Sequence, residues 1–150
     1  MKEEARFLTI EAVTSGAINA VLSVAFAAAV FAGKPVIPAT GAGGFAPDVL
    51  PQTFMVTLMG AAVPSLIVRA RLRAGRLPGF ESIEAGSLWR RALVAAIVVT
   101  VVVGGGAFAI SLAAPPVSFP AFLALKAAYG AALGATITIW ALKKLVRSTL

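Results

Sequence analysis

The chain alternates long apolar blocks with short segments rich in glycine, proline or charge. The clearest block is Val49 to Val68, twenty residues without a charge, which runs directly into Arg69, Arg71, Arg73 and Arg76. An α-helix rises about 1.5 Å per residue, so a block of this length crosses a hydrocarbon core about 30 Å thick. Phe7 to Phe31 forms another block, interrupted only by Glu11. Ala92 to Leu125 holds thirty-four residues without a charge, too many for one span, and Pro115-Pro116 divides it. The pattern predicts spans over about 7–32, 49–69, 89–113 and 118–142. The expected fold class is all-α: a polytopic membrane protein whose four transmembrane helices pack as a bundle in a single domain, 1–150.

The connectors carry their own signals. Gly33 to Pro47 contains four of the fourteen glycines and three of the nine prolines, which predicts an irregular segment. It must lie at the surface or fold into protein, because unpaired backbone in hydrocarbon costs on the order of several kcal/mol per group. Asp48 stands where it would cap the second helix, with Pro51 in the first turn; Ser118 and Pro120 repeat that arrangement before the fourth. Leu77 to Ser87 reads as a polar turn, and Trp89 suits a membrane interface. Pro64 falls inside the second helix, where it removes one backbone hydrogen bond near Gly60. Gly104-Gly105-Gly106 marks a close helix crossing or a flexible point.

Composition excludes much chemistry. Hydrophobic residues make up 59% of the chain and charged residues 13%, against about a quarter in ordinary soluble domains. Cysteine and histidine are both absent, which removes disulfides, thiolate nucleophiles, imidazole bases and the commonest zinc ligands. The few acids are scattered, so neither an acid–base pair nor a metal cluster assembles from the sequence. The expectation is a protein that is not an enzyme and needs no cofactor or metal.

The net charge of +7 is explained by topology. With both termini and the Arg69 to Arg91 loop in the cytoplasm, that side holds eleven of the thirteen basic residues, leaving only Lys34 and Lys126 outside. Both termini are therefore expected to face the cytoplasm. Arg69, Arg71, Arg73, Arg76, Arg90 and Arg91 are then expected to contact anionic lipid headgroups. No aromatic-basic surface or soluble domain accompanies them, so nucleic acid is not an expected partner.

Polar residues inside the spans are the candidates for chemistry. Glu11, Ser15, Asn19 and Ser23 recur every four residues, as do Thr53, Thr57 and Ser65 with Ala61, and Lys126, Gly130, Gly134 and Thr138. Such stripes lie on one helix face and serve commonly as packing seams. An ionisable group within a span is costly and raises the prior for an ion or substrate site. This gives a candidate pathway of Glu11, Asn19, Thr53, Thr57 and Lys126. Glu11 belongs near the inner face and Lys126 near the outer, so they should not pair; Asp48 is the expected ion-pair partner of Lys126. Asn19 requires a partner, expected from Thr53, Thr57, Ser65 or Thr100.

Four short spans with a lone glutamate in the first resemble the small multidrug resistance transporters, antiporters that work as dimers around such a carboxylate. That resemblance implies Glu11 as the proton and drug site. The overall plan is also similar to small bacterial multi-pass inner-membrane proteins of unknown function, along the whole chain and without a diagnostic motif. Two functions therefore stand: a non-enzymatic subunit or scaffold that associates with itself or a larger membrane complex, and a small oligomeric transporter or channel using Glu11 and Asn19. They part on whether Glu11 and Asn19 face a polar cavity or a packed seam.

Overall fold

The computed structural model describes residues 2–41, 43–77, 80–82 and 87–148. Among them, four helical segments are long and apolar enough to cross a membrane. Helix α1 covers Lys2–Phe31 and α2 covers Ala46–Arg73. The third segment is composite: α3 (Leu88–Val99), a π-helical turn (Thr100–Gly104) and α4 (Gly105–Leu112). Helix α5, Phe119–Lys143, is the fourth. The predicted spans agree with these bounds to within a few residues, except that α1 begins earlier and α2 continues through Arg69, Arg71 and Arg73. Just beyond the end of α2, Gly75 takes a φ of +66°, which suits glycine, and the Arg76 amide reaches back to the Arg71 carbonyl at 2.9 Å.

The all-α expectation omits two short antiparallel ladders. Strand β1 (Val36–Ile37) pairs with β3 (Val117–Ser118), so the glycine- and proline-rich connector is tied to the turn before α5. Strand β2 (Phe80–Ser82) pairs with β4 (Val146–Ser148) at the opposite end. Residues 78–79 and 83–86 of the predicted polar turn lie outside the described residues. The 33–47 connector folds onto the bundle: Ile37 is fully buried, and the Phe45 and Ala46 amides return to the Pro38 and Ala39 carbonyls at 3.0 and 2.9 Å. Its floor is a cluster of Phe31, Phe45 and Phe122, with the Phe31 and Phe122 rings meeting edge-on at 4.9 Å.

Neither predicted side-chain cap forms. Helix α2 begins two residues before Asp48, with Phe45 as an N-cap that makes no side-chain capping bond, so Asp48 lies in the first turn and Pro51 inside the helix. Ser118 occupies the N-cap of α5 with extended backbone, yet its hydroxyl makes no capping bond. Ser87, within the predicted polar turn, caps α3 and accepts from the Arg90 amide at 3.4 Å.

Helix α1 packs chiefly on α5, α2 packs on both α5 and the third segment, and α1 meets α2 at few points. Small residues explain these approaches. A Cβ added at Gly16 would lie 3.1 Å from the Ala131 carbonyl, and one at Gly104 would lie 3.1 Å from Thr53 Oγ1. Gly104 is thus a close crossing, and the π-helical turn that ends on it widens the third segment where it meets α2.

Pro64 has no amide hydrogen, so the Gly60 carbonyl loses its helical donor. Thr138 of α5 replaces it: its Oγ1 stands 3.0 Å from Gly60 O and 2.7 Å from Ser15 Oγ, joining three helices at one point. Thr138→Val should therefore destabilise the bundle by about 1–2 kcal/mol, since it leaves a buried carbonyl without a partner. The midpoint of sodium dodecyl sulfate unfolding in mixed micelles measures this, and an unchanged midpoint would remove Thr138 as the replacement donor.

Candidate functional site

Because α1 and α2 diverge, a crevice of about 320 Å³ opens between them, with α5 as its floor. The walls are apolar: Leu22 and Phe26 from α1, Met55 and Met59 from α2, all with exposed side chains, so the crevice opens on the lateral surface. The floor is polar. Lys126 of α5 donates to Asp48 Oδ2 and to Gln52 Oε1, and Gln52 Nε2 donates to Ser23 Oγ at 2.9 Å. One hydrogen-bonded chain thus links α5, α2 and α1.

Local structure accounts for each member. Asp48 and Gln52 are four residues apart and so project from one face of α2. Asp48 also sits in the first turn, where the helix dipole favours a negative charge. Lys126 lies inside α5, but side chains lean toward the helix N-terminus, which carries its ammonium toward the start of α2. The pair is largely sequestered, the side chains of Lys126 and Asp48 being 7% and 13% exposed. Phe122, one turn earlier, holds its ring centroid 5.5 Å from Lys126 Nζ.

The expected pathway does not assemble as one line. Lys126 and Asp48 meet, and Asn19 reaches the crevice wall beside them. Glu11 is elsewhere: it accepts from Arg71 Nη1 at 2.7 Å, joining α1 to α2 toward the basic end of the bundle. Arg71, expected at lipid headgroups, therefore has a protein partner. Arg73, Arg76 and Arg90 are exposed, and Arg69 and Arg91 are half-buried. Thr53 and Thr57 are fully buried and do not line the crevice. Thr53 Oγ1 lies 2.6 Å from the Tyr129 hydroxyl and donates to Val49 O at 2.7 Å. The Thr57 and Thr100 hydroxyls are buried without a partner among the described residues.

Asn19 also departs from expectation. The sequence points it to a partner on the second or third span, yet its Nδ2 donates within α1, to the Ser15 carbonyl at 2.9 Å. The reason is packing: α1 lies on α5, and Asn19 covers Gly134, where an added Cβ would come within 2.9 Å of Asn19 Cβ.

Sequence reasoning missed Gln52 and Tyr129. Both had a positional signal, Gln52 at four residues from Asp48 and Tyr129 at three from Lys126, which puts each on the face of a charged neighbour.

The arrangement defines a class: an apolar helical bundle with a satisfied charge pair at the floor of a lateral crevice. No protein-family model, curated protein or solved structure matches the chain.

Proposed function

We propose that the protein is a small non-enzymatic transporter of the bacterial cytoplasmic membrane that holds an amphipathic solute in the α1–α2 crevice. The observation that carries this reading is the Asp48–Lys126–Gln52 cluster on the crevice floor. Charged groups inside a span are expensive and mark solute pathways by default, and about 320 Å³ is at the small end of ligand pockets. An amphipathic solute would lay its apolar part along Phe26, Met55 and Met59 and its polar part on Gln52, Ser23 and Asn19. In this reading both termini and the arginine-rich loop are cytoplasmic, since that side then carries eleven of the thirteen basic residues. Glu11 serves as a link to Arg71 and not as the coupling carboxylate that the resemblance to multidrug transporters implies.

A second reading, a scaffold subunit of a membrane complex, is favoured by the closed polar seams at Ser15, Thr138 and Gly60 and at Asn19 and Gly134. The two separate in proteoliposomes offered an amphipathic amine and an amphipathic sulfonate. Transport predicts movement of at least one probe faster than in protein-free vesicles, reduced about tenfold by Met59→Trp, which fills the crevice, and by Gln52→Leu. Neither probe moving faster than in protein-free vesicles would reject transport and leave the scaffold.

A further inference from the structure

A second depression lies on another side of the bundle, between α3 and α5, with a volume of about 540 Å³. Its walls are two stripes, each spaced by four residues. On α3 the stripe runs Arg90, Val94, Val98; on α5 it runs from the C-cap residue Lys144 through Trp140 toward Thr136. Four-residue spacing keeps each stripe on one helix face, and eight residues of helix extend about 12 Å. Both stripes begin with a cation at the same end and turn apolar going inward. Arg91 also lines that end, and among the described residues no acidic residue lines the groove. Trp140 stands at the boundary, with Lys144 Nζ 5.0 Å from its ring centroid.

We propose that this groove binds one anionic glycerophospholipid, with its phosphate at Arg90 and Lys144 and an acyl chain along Val94 and Val98. A basic pocket between membrane helices, continuing into an apolar slot, matches both halves of such a molecule. A free phosphate would match only the mouth. Trp140 is the aromatic at the junction, where an indole sits between apolar chain and polar headgroup. This assignment is independent of the crevice between α1 and α2.

Trp140 and Trp89 are the two tryptophans of the chain, so Trp89→Phe leaves Trp140 as sole reporter. That variant is reconstituted in phosphatidylcholine bilayers and titrated with phosphatidylglycerol or phosphatidylcholine carrying brominated acyl chains, which quench tryptophan on contact. The expected result is a preference for phosphatidylglycerol of at least about fivefold, the ratio one basic surface contact supplies. Arg90→Gln with Lys144→Gln should reduce it to near unity. Lys143→Gln removes one positive charge beside a different surface, near Glu4 and Thr9, and should leave the preference intact. Val98→Phe narrows the slot without touching the charges and should weaken quenching by both lipids. Equal quenching by the two lipids in the parent, as when a second copy covers the groove, would overturn the proposal. So would loss of the preference in Lys143→Gln, which assigns it to overall charge, or competition by millimolar inorganic phosphate, which assigns the mouth to a soluble anion.

Discussion

Asp48→Ala should destabilise the bundle by about 3–5 kcal/mol, the cost of leaving one member of a buried ion pair uncompensated. The ammonium of Lys126 cannot readily escape to water, since its side chain is only 7% exposed and Phe122 stands over it. Gln52 Oε1 would be its one remaining acceptor among the described residues of this cluster. Lys126→Met should cost less, although it breaks the same pair. Asp48 keeps the favourable dipole of the first turn of α2, and the Gln52 amide can rotate to present its N–H₂ to the carboxylate. The combined Asp48→Leu, Lys126→Met variant should recover most of the loss, because a well-packed apolar replacement of a buried pair is often neutral or stabilising. The order expected in unfolding midpoints is therefore Asp48→Ala lowest, Lys126→Met above it, and the double variant above both. If the double variant were as unstable as Asp48→Ala, packing and not unpaired charge would be the source of the effect.

That asymmetry also indicates what the sequence could and could not convey. The four long helices were legible because length and lack of charge are local properties, and a block such as Val49 to Val68 has no other economical reading. The nearness of Asp48 to Lys126 followed from depth alone: each lies near the helix end of the same side, and each needs a countercharge. Lateral neighbourhood was not legible. Four apolar helices offer little to say which pairs touch, so the sequence points Asn19 to the second or third span, whereas it lies against α5. Glu11 and Arg71 illustrate the same limit. Depth placed both at one end, but only the fold brings them within 2.7 Å. The short ladders escaped for another reason: Val36–Ile37 and Val117–Ser118 are two-residue strands that pair with each other and carry no periodicity of their own.

Gly134→Ala should destabilise the α1–α5 seam by about 1–3 kcal/mol, as overpacking of a tight core does. The added carbon would lie 2.6 Å from Asn19 Nδ2 and 2.9 Å from Asn19 Cβ, closer than real side-chain contacts allow. Asn19 cannot simply swing aside, because its amide is held by the Ser15 carbonyl and its Cβ is fixed to the helix. The whole of α1 must therefore move outward. That movement would also disturb the Ser15 to Thr138 contact one turn away and the Ser23 to Gln52 bond at the crevice floor. Asn19→Ala alone should be milder, since it removes a hydrogen bond made largely within its own helix. It retains Cβ, so the Gly134→Ala, Asn19→Ala pair relieves the contacts with the amide but not the one at 2.9 Å. Asn19→Gly would relieve both, at a further helix-propensity cost of about 1 kcal/mol. A double-mutant cycle should therefore show the two substitutions less costly together than the sum of each alone. Strict additivity would mean that Asn19 and Gly134 do not form the seam, and that α1 is held to α5 by its other contacts.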